Sequence, residues 1–166
     1  MIIVQHPLEA NHAKGSAGLL QMSLRSSVLL QGELLDAAGL QRIFDPRRQP
    51  VLLYPSAGLN HLDASANLLA LPPNQLRLIV LDATWRKSRK MLHLNPSLQS
   101  LPRMSLLDPA PSRYVIRKAH QPHQRSTLEA TCAALLQLGE AAAPLHALLD
   151  AFDGFVAQQA SFRPPR

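Results

Sequence analysis

The residues best placed to do chemistry lie in two short stretches, Asp82-Ala83-Thr84-Trp85 and Ser126-Thr127-Leu128-Glu129. Asp82 directly follows the apolar run Leu76–Leu81, the strongest strand signal in the chain. An acid in that position lies at the carboxyl end of a buried strand, where open α/β sheets bind ligands, and it can act as a general base. Thr84 can cap the next helix, so Asp82 also reads as a plain helix-start acid and Trp85 as core. Ser126 and Glu129 have the spacing of a capping box. Amides at such a helix start also bind phosphates and carboxylates, and an amino-acid carboxylate is one such ligand.

A second group is cationic. On the helix expected over 84–94, Arg86, Arg89, Lys90 and His93 share one side, while Trp85, Ser88 and Leu92 occupy the neighbouring arc and can pack inward. Between Leu81 and Ser126, nine Lys or Arg residues are opposed only by Asp82 and Asp108, a local charge of +7 in a chain of +6. Such a concentration suits a polyanion. Arg and Lys contacts to phosphate would position a nucleic acid without reading its sequence. A solvated face explains the same stripe. Arg113, Arg117 and Lys118 extend the cationic region along a candidate edge strand at Tyr114–Ile116. His120 and His123 have no third ligand nearby, and the single cysteine, Cys132, excludes an internal disulfide and a cysteine-built metal site. No metal is expected.

The elements that must position these groups are short. Strands are predicted at Ile2–Gln5, Val28–Leu30, Val51–Tyr54, Leu76–Leu81, Met104–Leu107 and Tyr114–Ile116. Helices are predicted at Gly15–Met22, Ala37–Phe44, His61–Ala70, Thr84–Leu94, Ser126–Leu138 and Leu145–Gln159. Leu128, Thr131, Cys132, Leu135 and Leu138 form the buried face of the helix at 126–138, which makes Cys132 a core thiol. Strands alternating with helices imply an α/β domain with a mainly parallel sheet and flanking helices. The 166 residues suit one domain. No apolar stretch is long enough to span a membrane, and Met1–Gln5 lacks the pattern of a signal peptide. A cytoplasmic protein is therefore expected.

Several pieces occur together in a recognisable order: Gln5-His6-Pro7 with Glu9, Leu53-Tyr54-Pro55-Ser56, Leu81 to Trp85, the helix start Arg86–Met91, Leu101-Pro102-Arg103, Ser112-Arg113-Tyr114, Arg117-Lys118 and Ser126 to Ala130. In this the chain resembles the DTW-domain family, named for its Asp-x-Thr-Trp motif and similar in fold to SPOUT-type methyltransferases. The resemblance implies a SPOUT-like fold with a C-terminal trefoil knot. It also implies tRNA-uridine aminocarboxypropyltransferase activity, with S-adenosylmethionine as cosubstrate, 5′-methylthioadenosine as byproduct and uridine N3 as acceptor. Motif by motif, Leu53, Pro55, Ser56, Thr84, Trp85, Ser126, Thr127 and Glu129 would contact the cosubstrate. Many relatives carry a cysteine cluster before the first strand and an acidic residue after the position of Pro55; this chain has neither feature.

Uridine N3 is a poor nucleophile while protonated, so a base must lie within reach of its proton. Asp82 is expected to accept that proton or to orient the group that does. Arg86, Arg89, Lys90, Arg113, Arg117 and Lys118 are expected to hold the tRNA backbone. Two other readings share these residues: a SPOUT-type RNA methyltransferase, which would use the same cosubstrate as a methyl donor, and a non-catalytic RNA-binding module.

Overall fold

The structure is a computed structural model and describes residues 1–10, 15–55, 71–107 and 125–161. Five strands, β1 (Ile2–Gln5), β2 (Val28–Gln31), β3 (Gln49–Leu53), β4 (Leu76–Asp82) and β5 (Arg103–Met104), form one sheet. The order is β2-β1-β4-β3-β5, and every neighbouring pair is parallel. The helices are α1 (Ala17–Ser23), α2 (Ala37–Ile43), α3 (Trp85–Leu94), α4 (Pro96–Gln99), α5 (Thr127–Gln137) and α6 (Ala142–Ser161). Among the described residues, no helix is long and apolar enough to cross a membrane.

Helices cover both faces of the sheet. Ile2, Val4, Leu52 and Ile79 point to one face, where Ile43 of α2, Met91 and Leu92 of α3, and Leu98 of α4 pack on them. Ile3 points to the other and meets Ala17 and Leu20 of α1, Leu128 and Cys132 of α5, and Phe152 and Val156 of α6. Val51, Leu78 and Val80 line the same second face beside Ala134 of α5. Burial on both sides explains why β1 and β4 read as nearly unbroken apolar runs. Cys132 is fully buried there, as its helical position implied.

Several differences from the sequence reading have local causes. β3 starts at Gln49 and takes in Pro50, which a sequence reading excludes from a strand. The N–H groups of Leu52 and Tyr54 donate toward β5, to Pro102 O and Met104 O. Pro50 has the same parity, so its missing N–H faces the side where β5 has not yet begun to pair. The strand expected at Met104–Leu107 is only Arg103–Met104, and Leu107 is exposed. α6 begins at Ala142, with Pro144 in its first turn, and α4 is a single extra turn after Asn95. Gly139 ends α5 at φ 84°, while Glu140 N–H reaches back to Leu135 O.

Two buried polar residues brace the frame. Arg77 of β4 donates to the carbonyls of Ile43 and Asp45 and closes the end of α2. Asn95, between α3 and α4, donates to the carbonyls of Met91 and Glu33 and accepts from Leu35 N–H. The helix expected at 61–70 and the strand at 114–116 lie outside the described residues. The expected C-terminal trefoil knot lies outside the described residues too.

Candidate active site at the carboxyl edge of the sheet

In a parallel sheet all strands end on one edge. From β1 the chain moves to β2 on one side, and from β4 it passes β3 to reach β5 on the other. The helix after β1 covers one face and the helix after β4 the opposite face. The carboxyl ends of β1 and β4 therefore flank a topological switch point, the position where such sheets bind ligands. Gln5 and Asp82, the last residues of these strands, are register partners.

Asp82 is buried, and both its oxygens are engaged. Gln5 Nε2 donates to Oδ2 at 2.9 Å and the Thr127 hydroxyl donates to Oδ1 at 2.6 Å. Gln31 Nε2 in turn donates to Gln5 Oε1 at 3.2 Å. The donors run in one direction across three strands and end on the carboxylate, so each polarises the next. Asp82 does not line the pocket beside it; Thr127 does. Because the Thr127 proton is committed to Asp82, its remaining lone pairs act as an acceptor.

That pocket, about 330 Å³ in volume, opens over the ends of β3, β4 and β5 against the start of α5. Tyr54 and Trp85 meet edge to face there at 5.6 Å between ring centroids. The Tyr54 hydroxyl lies 3.3 Å from Ser88 Oγ. The Arg103 guanidinium sits 5.3 Å from the centre of the Tyr54 ring and donates to Pro55 O, pinning the turn after β3. Trp85 is 44% exposed. The inward packing expected for it does not occur, because it stands in the first turn of α3, beyond the sheet edge, whereas Ser88 and Leu92 further along are buried.

At the start of α5 the capping box is complete. Ser126 Oγ accepts from Glu129 N–H, and Glu129 Oε2 accepts from both the N–H and the hydroxyl of Ser126. Leu128 N–H donates to Ser16 Oγ at 3.3 Å. Three of the helix-start amides are thus bonded within the protein. Arg125, just before the cap, lines the pocket; its Nε is buried without a hydrogen-bond partner among the described residues. Glu129 faces its own cap rather than the pocket.

On α3, Arg86, Arg89, Lys90 and His93 are all exposed on the expected side. Lys90 Nζ pairs with Glu33 Oε2 at 2.9 Å, and Lys87 Nζ pairs with Glu9 Oε1 at 2.9 Å. His6 Nδ1 accepts from Leu8 N–H, which leaves the proton on Nε2 to donate to Glu33 Oε1 at 3.1 Å. The Lys90 and His6 hydrogen bonds together hold the Glu33 carboxyl below its ordinary range.

Of the residues expected to contact a cosubstrate, Leu53, Pro55, Trp85, Ser126 and Thr127 line the pocket. Thr84 caps α3 by accepting from Lys87 N–H instead. Ser56, Arg113, Arg117 and Lys118 lie outside the described residues. Tyr54, inside the Leu53–Ser56 motif, lines the pocket as well, whereas the sequence reading does not suggest Gln5, Ser88 or Arg125 as site residues. Gln5 carries the same signal as Asp82, a polar residue closing an apolar strand, and Arg125 immediately precedes the capping box. Among the described residues, no cluster of side chains could hold a metal ion.

A parallel sheet covered on both faces, with a small pocket at its carboxyl edge, has the architecture in which α/β proteins bind ligands. The DTW domain family model matches residues 1–160, and the chain belongs to that family. It is 32% identical over 148 residues to tRNA-uridine aminocarboxypropyltransferase 2 of Drosophila melanogaster. That match covers 82% of this chain and 56% of the relative, so the chain spans little more than half of the relative's length. No solved structure matches the chain significantly.

Proposed function

We propose that this protein transfers the 3-amino-3-carboxypropyl group of S-adenosylmethionine to N3 of a uridine in tRNA, in the cytoplasm. Its family and the name of its Drosophila relative supply the reaction class. The observation that carries the reading is the buried Asp82 carboxylate, which presents the Thr127 hydroxyl to the pocket as an acceptor. The pocket suits the donor: an apolar wall, the aromatic pair Tyr54–Trp85 at the rim, and one cationic corner at Arg125. When bound, the donor would supply a methylene made electrophilic by its sulfonium and would leave as a neutral thioether.

The protein's part is orientation and deprotonation. Thr127 Oγ1 accepts the hydrogen bond from uridine N3–H. As N3 forms its bond to carbon, that proton passes to Thr127 and the Thr127 proton passes to Asp82. Gln5, donating to the other Asp82 oxygen, holds the carboxylate in place. Asp82 therefore acts through Thr127. Arg86, Arg89 and Lys90, on the helix that starts beside Trp85, hold the RNA backbone in this reading, together with Arg113, Arg117 and Lys118.

Incubation with total tRNA and carboxyl-labelled S-adenosylmethionine tests the proposal. Label should be retained on the RNA. Transfer of label from a methyl-labelled donor only would replace it with methyl transfer, and absence of both would leave an RNA-binding module.

A further inference from the structure

The structure brings the Arg125 side chain to the wall of the pocket with its Nε unpaired among the described residues. Among the described residues, Arg125 Nε is buried with no hydrogen-bond partner and the residue makes no ion pair. A buried donor left unpaired is unfavourable and calls for an acceptor. The two nearest acids of the site cannot supply one. Asp82 is held by Gln5 and Thr127, and Glu129 by Ser126. The other walls include Leu53, Val80, Leu81, Met104 and Leu106, which offer no charged side chain. The α5 amides that the sequence suggests for an anion are occupied at Ser126, Leu128 and Glu129. Among the described lining residues, Arg125 is the cationic side chain at this end of the pocket.

We infer that Arg125 is the specificity residue that reads the α-carboxylate of the donor's amino-acid end; this rests on the donor named above. A planar guanidinium matches a carboxylate through two parallel hydrogen bonds, and the apolar walls strengthen the pairing. A pocket of about 330 Å³ suits a small molecule better than a polynucleotide phosphate, which would have to bring its strand with it. The assignment also separates two jobs at one helix start. Arg125 holds the carboxylate, and Thr127, one position past the Ser126 cap, keeps its lone pairs for a proton donor.

Calorimetric titration of the full chain with two nucleosides tests this. One is S-adenosylmethionine; the other is decarboxylated S-adenosylmethionine, which keeps the sulfonium and the amine but lacks the carboxylate. The unaltered protein should bind the decarboxylated form about 10- to 100-fold more weakly, the span of a charge-assisted hydrogen bond. Arg125→Gln should lose the same factor for S-adenosylmethionine and almost nothing for the decarboxylated form, and Arg125→Lys should recover part of the loss. Thermal melting verifies that the variants are folded; if Arg125→Gln is not, Arg125→Lys, which keeps the charge and most of the bulk, carries the comparison, and an equal change for both nucleosides there overturns the assignment. Equal affinity of the unaltered protein for both nucleosides overturns the assignment, as does an equal loss for both in Arg125→Gln. A variant that loses tRNA affinity while keeping its S-adenosylmethionine affinity moves Arg125 to the RNA. If the unaltered protein binds neither nucleoside, the donor reading falls, and the Arg125 assignment falls with it.

Discussion

Replacing Asp82 with Asn separates the carboxylate's charge from its shape. Oδ1 can still accept from the Thr127 hydroxyl, 2.6 Å away in the native site. The new amide nitrogen then faces Gln5 Nε2, donor against donor, at a native spacing of 2.9 Å. Turning the Gln5 amide over resolves that clash, because its oxygen would now accept from the variant amide. Gln31, whose amide donates to Gln5 and whose residue is exposed at the sheet edge, can turn over in the same way. The network survives with two neutral hydrogen bonds in place of two charge-assisted ones, a loss of about 1–2 kcal/mol in stability. Asp82→Ala leaves Gln5 Nε2 buried with no acceptor and should cost more, about 2–4 kcal/mol. Urea unfolding followed by circular dichroism measures both. Turnover should separate from stability. Without the carboxylate to receive the Thr127 proton, Asp82→Asn should lose roughly 10²- to 10⁴-fold in kcat while staying folded and binding donor normally. A folded Asp82→Asn variant with near-native turnover would refute the Thr127–Asp82 relay, and one that fails to bind donor would reassign Asp82 to binding.

Three further outcomes follow from the structure. Asn95→Ala strands the buried Leu35 N–H and should cost about 2–3 kcal/mol in urea unfolding; a loss below about 0.5 kcal/mol would remove Asn95 as the brace between α3 and the β2–α2 turn. Burial, with the nearby Glu129 carboxylate adding to it, pushes the Cys132 thiol up to about 11, so it stays protonated at neutral pH. A thiolate-selective reagent at pH 8 should label Cys132 only on unfolding, and rapid labelling of the native protein would contradict its place in the core. Arg86 and Arg89 are exposed and make no ion pair among the described residues, whereas Lys90 is tied to Glu33. Their joint change to Ala should lower tRNA affinity and flatten the log–log salt dependence by about one to two units, with donor affinity unchanged; an unaltered slope would reject α3 as the RNA platform.

The sequence by itself determined the fold class and most of the elements within the described residues. Apolar runs at Ile2–Gln5 and Leu76–Leu81, too short for helices and rich in Ile, Val and Leu, read as buried strands, and helical periodicity from Thr84 and from Ser126 starts both helices at their observed caps. It also brought out Asp82, because an acid closing an apolar strand is conspicuous. The partners of that acid were set by long-range geometry. Thr127 lies 45 positions away and Gln5 lies 77 away, and no local pattern reveals that both hydrogen bonds converge on one carboxylate. The same limit explains Trp85, which periodicity placed in the core although the sheet ends before it can be covered. Likewise, the sequence pattern of a capping box shows that a helix begins at Ser126. Only the packed structure shows that the amides of Ser126, Leu128 and Glu129 are already bonded and that the Arg125 Nε beside them is not among the described residues, because hydrogen-bond satisfaction depends on which groups folding brings within about 3 Å.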